Sequence, residues 1–496
     1  MPDRPALVTL DDVRGLLAAH DPDGLLAPCG LGDLVVALGA LRELPATVLR
    51  LAGDRLGRRP RVTLLVDETL VLRQGQDVKT RVQSDLAADC EVTRVTLSDG
   101  SPELHVVDEM IDAARAACAG ADVVVALGGG TISDLGKLAA VGPDVRLVTV
   151  MTAASVDGYT DDVSVTLKQG VKRTVASRWP DVVLGDAETV AGAPPRMTRS
   201  GYGEMTSMYV APADWRLAAL VGAGTAFHEG PVALLGALAD QLDSCATGVA
   251  VSEPAAVQTL TWALALRGIA TGVAGTTACL SGVEHLVSHM LDLRAAQLGA
   301  PTGLHGEQVG VGSVLAACAW EMLHERLAAA PAARVRQGEL DPELAESRVR
   351  RAFDGLDPTG RIGSECWTDY ARKLGRVRAA VLQVDAVVAQ WHEHRPSLDA
   401  LLRPSSVIAR GLGSAGAPVL VGDLVCATDA ATARWALQNC ALMRDRFTVV
   451  DLLTVLGWWE GGDVDEVLAR ADVAMATASA GATASAGATA SAGATA

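Results

Sequence analysis

The sequence predicts an α/β protein in two parts: a parallel sheet covered by helices, then an all-helical domain. Three features predict it. Short β-branched runs alternate with helical stretches of about 10 to 15 residues through the first part. One of those runs, ADVVVAL, passes directly into three glycines and a new helix. Beyond two adjacent prolines, Pro194 and Pro195, the pattern changes to long Ala/Leu-rich helical stretches.

Taken in order, residues 1–34 form an N-terminal extension with a weak helical pattern and no assigned role. From Val35, VVALGALRELPATVLRLA reads as an amphipathic helix, and RVTLLVD at 61–67 as a short strand. VTRVTLSD is a strand, VVDEMIDAARAACAG a helix, ADVVVALGGG a buried strand, and VRLVTVMTA at 145–153 another strand. Apolar runs of this kind, separated by helices, belong in a parallel sheet covered on both faces. Residues 35–190 form this domain. Residues 191–475 read as the helical domain, with VALLGALADQLDSCATGVAV and AAVQTLTWALALRGIATGVAG as its clearest stretches. The repeated ATASAG of 476–496 predicts a disordered tail with nothing to pack against.

Composition narrows the function. The net charge is −17, and Lys occurs only at 79, 137, 168, 172 and 373. A chain this acidic lacks the basic surface that nucleic acids and anionic membranes require. Small molecules and other protein chains, including a homo-oligomer of two or more copies, remain as partners. The N-terminus has no basic stretch leading into an apolar core, so no secretory signal is expected. No uncharged apolar run reaches the roughly 18 residues of a membrane span. Nine scattered Cys without CxxC pairs predict reduced, buried thiols and a cytoplasmic protein.

Chemistry concentrates at three places. Gly128, Gly129 and Gly130 join a buried strand to the helix opening at Thr131, with Asp134 and Lys137 one and two turns on. Glycines let a ligand approach the backbone, and free N–H groups at a helix start attract phosphate. The pattern is neither Walker A nor GxGxxG. Asp67 closes an early strand, where an acidic residue either bonds a ribose hydroxyl or caps a turn. His285 and His289 lie one helical turn apart, with His305 shortly after, and Asp157 follows a strand with Asp161 and Asp162 nearby. Two imidazoles and a carboxylate are a common ligand set for a divalent ion. His392 and His394, at i, i+2, share no helical face and read as a solvated loop. The charge-rich 333–355 reads as an exposed helix pair.

These motifs occur in a specific order. GGGTISDLGK, TAASVDGYT, EHLVSH and LHGEQVGVG together resemble the glycerol-1-phosphate dehydrogenase branch of the dehydroquinate synthase-like, iron-type alcohol dehydrogenase superfamily. SGYGEMTSMYVAPADWRLA (200–218) and LMRDRFTVVDLL (442–453) extend the likeness. The resemblance implies a Rossmann-like N-terminal domain, a helical C-terminal domain, and an active site in the cleft between them. It implies that Gly128 to Thr131 hold the pyrophosphate of NAD or NADP, supported by Asp134 and Lys137. Asp67 would contact the adenosine ribose, and Thr152 and Ser155 would lie along the cofactor. It further implies Asp157, His285 and His305 as ligands of one divalent metal, zinc foremost, with nickel or iron as alternatives. His289 would stand behind the ligands or serve a proton path.

Departures from the branch bear on the substrate. Met151 stands where Pro is usual, Glu204 replaces the Asp of a Gly-Asp, and Met208 replaces a Lys. Lys172 and Arg173, in VKRT, remain as phosphate partners. Asp161 is either a further ligand or a solvated turn residue, with the second favoured. The expected activity is reduction of dihydroxyacetone phosphate to sn-glycerol 1-phosphate, or of a related hydroxyketone. The alternatives are a sugar phosphate cyclase of the dehydroquinate synthase type and a catalytically degenerate nucleotide-binding homologue. Asp157 argues against the first, because such cyclases usually present Glu at the first metal position. The intact Asp157, His285 and His305 argue against the second.

Overall fold

A computed structural model of the chain describes residues 7–53, 57–101, 103–168, 171–426 and 428–492. Its strands are β1 (Asp33–Ala37), β2 (Arg61–Asp67), β3 (Leu72–Arg73), β4 (Gln76–Asp77), β5 (Glu91–Leu97), β6 (Val123–Gly128), β7 (Arg146–Met151), β8 (Val163–Lys168), β9 (Val171–Ala176) and β10 (Val182–Asp186). The early helices are α1 (Leu10–Ala19), α2 (Leu44–Ala52), α3 (Val78–Ala87), α4 (Asp108–Cys118), α5 (Gly130–Ala139), α6 (Ala187–Ala191), α7 (Pro195–Met205) and α8 (Ala211–Leu220). Then come α9 (Glu229–Gly236), α10 (Ala239–Ala250), α11 (Pro254–Ala274), α12 (Val283–Leu298), α13 (His305–Ala329), α14 (Pro342–Phe353) and α15 (Arg361–Ala379). The last are α16 (Val381–Ala389), α17 (Trp391–Asp399), α18 (Ser405–Ser414), α19 (Ala430–Asn439), α20 (Val449–Val455) and α21 (Gly461–Ala492).

The chain divides into two compact units, one comprising 1–202 with 228–276, the other 203–227 with 277–496. The division passes through α7 and assigns α9, α10 and α11 to the first unit, so it differs from the expected break at 191. The first unit holds a six-stranded sheet in the order β1-β10-β7-β6-β2-β5, parallel throughout. Its central strand shows why the apolar runs specify it. Val123, Val125 and Leu127 of β6 face one core with Leu44 and Val48 of α2 and Val82 and Leu86 of α3. Val124 and Ala126 face the opposite core with Ile111 and Ala114 of α4 and Leu135 of α5. Alternate side chains thus bury on opposite faces, each large one worth about 1.5–3 kcal/mol. The N-terminal extension belongs to this unit, with α1 packed on α9.

The second unit is helical. α13 runs through its middle, packed by α12, α18, α20 and α21.

Several expectations are corrected. Val35 to Ala37 is not helical: β1 pairs with β10, and helix begins only beyond a short 3-10 turn. Residues 333–355 hold one α-helix, α14, whose Ala345, Val349 and Phe353 are buried, rather than an exposed pair. His392 and His394 lie on α17 rather than in a loop. Within the expected tail, α21 continues as helix to Ala492, as the high helix propensity of Ala favours; 493–496 lie outside the described residues. All nine Cys are free thiols. No described helix is long and apolar enough to cross a membrane.

Candidate active site

In the first unit, β6 ends at Gly128 and α5 starts at Gly130. A Cβ on Gly128 would lie 2.7 Å from the Ile132 side chain, and one on Gly130 would lie 2.8 Å from Val156 Cγ2. These two glycines are therefore needed for packing. A Cβ on Gly129 would meet nothing within 4 Å, so the loop faces open space at the helix start. The first-turn N–H groups of α5 have no acceptor within the helix, and the helix dipole adds positive potential there.

Behind the loop, Lys137 is buried and donates to Gly158 O at 2.9 Å, to Asp161 Oδ1 at 2.7 Å and to the carbonyl of Val163. Asp134 lies 3.3 Å from the same ammonium and accepts the Val165 N–H at 3.2 Å. The pair clamps the segment 157–165 against α5. Asp161 is a member of this clamp, not a solvated turn residue: burial pushes its carboxyl up to about 7, against the pull of Lys137. Thr152, buried after β7, donates its N–H to Gly128 O at 3.2 Å, and Ser155 is buried beside it in sequence. Asp67 closes β2 with its carboxylate bound by the buried Lys79 ammonium and by Thr69 Oγ1 at 3.2 Å. Lys172 and Arg173 sit on β9, opposite Leu167 and Thr166 of β8.

In the second unit, Glu204, His285 and His305 bring one carboxylate and two imidazole nitrogens within 4.8 Å of one another. His285 Nε2 lies 3.3 Å from Glu204 Oε1, and His305 Nε2 lies 3.7 Å from Glu204 Oε2. Close backbone approaches make this possible. A Cβ on Gly203 would overlap the carbonyl oxygen of Gly306, so the end of α7 lies directly on the first turn of α13. A Cβ on Gly312 would lie 2.6 Å from the carbonyl oxygen of Glu284, which brings α12 and its His285 onto α13. His289, half-buried one turn after His285, stacks on His305 with ring centroids 5.9 Å apart.

The ligand set expected from sequence is thus corrected at one position. Asp157 is absent from the cluster. Its carboxylate is ion-paired with Arg267 of α11, a side chain almost wholly buried within the first unit. Glu204 takes the third place. Its signal was in the sequence: it occupies the Gly-Asp position, one methylene longer.

Further residues hold the cluster. His285 Nδ1 lies 2.8 Å from Glu284 Oε1, which also accepts the Gly282 N–H at 2.6 Å. His305 Nδ1 lies 3.0 Å from Ser288 Oγ, which donates to Gln308 Oε1 at 2.7 Å. Asp214 accepts the N–H groups of Val283 and Val449, tying the starts of α12 and α20 together. Burial lifts its carboxyl to about 8, reinforced by the charge of Glu284. Burial disfavours the charged form of His285, but the hydrogen bonds to Glu204 and Glu284 outweigh it and raise the ring's pKa. The Glu204 carboxylate beside both rings makes the surroundings negative, which suits a cation. Two imidazole nitrogens and a carboxylate in one set, Glu204 and His285 buried and His305 partly so, fit a divalent ion with further positions open.

A family model described as iron-containing alcohol dehydrogenase matches residues 35–194. A relative from Methanoculleus marisnigri, named glycerol-1-phosphate dehydrogenase [NAD(P)+], is 30% identical over 287 residues, 57% of this chain and 73% of its own. One of the same name from Bacillus velezensis is 29% identical over 242 residues, 48% of this chain and 58% of its own. The chain therefore spans less than two thirds of some of these relatives. A crystal structure of a probable glycerol dehydrogenase from Sinorhizobium meliloti shares the fold, with TM-score 0.56 and 18% identity, covering 91% of this chain and 99% of that one. The glycine loop, the ordered histidine motifs and these likenesses place the chain in the iron-containing alcohol dehydrogenase family, in its glycerol-1-phosphate dehydrogenase branch.

Proposed function

We propose that the protein is a metal-dependent, NAD(P)-linked dehydrogenase that reduces a hydroxyketone, with dihydroxyacetone phosphate to sn-glycerol 1-phosphate as the leading reaction. The observation that carries this reading is the Glu204–His285–His305 set, a buried carboxylate facing two imidazole Nε2 atoms. A divalent ion held by these three residues would supply positive charge for an oxygen that becomes anionic during carbonyl reduction. A nicotinamide cofactor would supply the hydride.

The chain's own residues do the rest. Glu204, His285 and His305 hold the ion, zinc being the first candidate, with nickel and iron as alternatives. Gly128 to Thr131 receive the pyrophosphate at the start of α5, with Lys137, Asp134 and Asp161 holding the segment that follows β7. Thr152 and Ser155 line the cofactor's course, and Asp67 meets the ribose on the oxygen not engaged by Lys79. His289, stacked on His305, is placed to carry a proton on its imidazole. Lys172 and Arg173 are the phosphate partners on β9.

The test is NADH and NADPH oxidation by protein loaded with zinc, nickel or iron, with dihydroxyacetone phosphate and dihydroxyacetone in parallel. Oxidation with the phosphate alone supports the reading. Oxidation with neither, by protein that binds both ion and nucleotide, moves the substrate to another ketone. Glu204 favours a second reading, a sugar phosphate cyclase, since those enzymes usually present Glu at this ligand position. The two separate cleanly: a cyclase forms product without net loss of the nicotinamide absorbance.

A further inference from the structure

A short hydrogen-bond chain stands behind the His305 imidazole, and its donor and acceptor counts fix the proton. Asp292 Oδ1 is an acceptor and receives Gln308 Nε2 at 3.2 Å, so the amide's NH₂ end points to Asp292 and its Oε1 to Ser288. Ser288 has one hydroxyl proton and gives it to Gln308 Oε1. Toward His305 it has only a lone pair to offer, so the proton between Ser288 Oγ and His305 Nδ1 belongs to the ring. His285 differs: it has a carboxylate at each ring nitrogen, Glu284 at Nδ1 and Glu204 at Nε2, so counting places no proton there.

We propose that Ser288 and Gln308 are positioning residues that lock the His305 imidazole in the Nδ1–H tautomer, leaving its Nε2 lone pair on the side of Glu204 before any ion arrives. The ion-binding consequence rests on the reading of Glu204, His285 and His305 as the metal set; the tautomer assignment does not. Ser288 and Asp292 lie on α12 and Gln308 on α13, so the Ser288 chain also ties the two helices in register across the site. Partners behind a ligating imidazole typically change metal affinity by about 10- to 100-fold.

The experiment uses the full chain with ¹⁵N-labelled histidine and cobalt(II) as the probe. In ion-free protein at alkaline pH the ¹⁵N spectrum is predicted to show Nδ1–H for His305. Ser288→Ala should return His305 to a mixture of tautomers. The cobalt(II) dissociation constant should rise about tenfold or more in Ser288→Ala and in Gln308→Met. Because the two act in series, the double variant should bind no more weakly than Ser288→Ala alone. His394→Ala, on α17, serves as the unchanged control. An Nε2–H His305 in the unaltered protein overturns the proposal, as do cobalt affinities that do not move in either variant. An Nδ1–H pattern without any cobalt binding would uphold the tautomer lock and overturn the metal reading instead.

Discussion

Asp157 and Glu204 show how a side chain's partner decides its role. Both carboxylates were available on sequence, and Asp157 stood after the right strand. In the fold, Asp157 is ion-paired with Arg267, whose side chain is 3% exposed, and a charge so buried needs such partners. Asp157→Ala removes one of the partners of Arg267 and is therefore predicted to cost about 1–3 kcal/mol of stability. Urea unfolding measures it; a loss below 1 kcal/mol would show that the pair is not structural. The glycine turn and the pairing of His285 with His305 were legible because they depend on local spacing. The Arg267 pairing was not, because it joins positions 110 residues apart in the chain. Asp161 escaped for the same reason, its partner Lys137 lying on another element.

At the scale of elements, the site depends on helices approaching closer than side chains normally allow. Gly203→Ala would force the end of α7 off α13 and carry Glu204 away from His305. The expected outcome is loss of ion binding with a stability cost of about 1–3 kcal/mol, typical of overpacking. Retention of full ion affinity would mean the approach is not required. The buried strands were readable from sequence because both faces of a covered parallel sheet are apolar, leaving continuous Val/Leu runs. β1 was not, because it is short, lies at the sheet edge, and runs straight into residues with a helical apolar pattern. The domain division was partly hidden too. Helical character alone does not reveal that α9, α10 and α11 pack with the sheet unit.

Across the whole molecule, buried carboxyls set the pH response. Asp161 at about 7 and Asp214 at about 8 keep protons that the unfolded chain, with carboxyls near 3.8, has already released. Between those values the native state binds more protons, so stability falls as pH rises. His324 works in the opposite direction. Burial lowers it from 6.5 to about 4, and its contribution grows with pH until about 6.5 is passed. Ion-free protein is therefore predicted to lose stability from pH 6.5 to 8, by at most about 1.4 kcal/mol per pH unit for each proton involved. Urea midpoints across that range check the sign; a steady rise would contradict the protonated state of the buried carboxyls.

The most direct test of the site is the ion content of three proteins purified and zinc-loaded in parallel: the unaltered chain, Glu204→Ala and Asp157→Asn. The account predicts one tightly held ion in the unaltered chain and in Asp157→Asn, and none in Glu204→Ala. An ion that survives in Glu204→Ala and disappears from Asp157→Asn would contradict it.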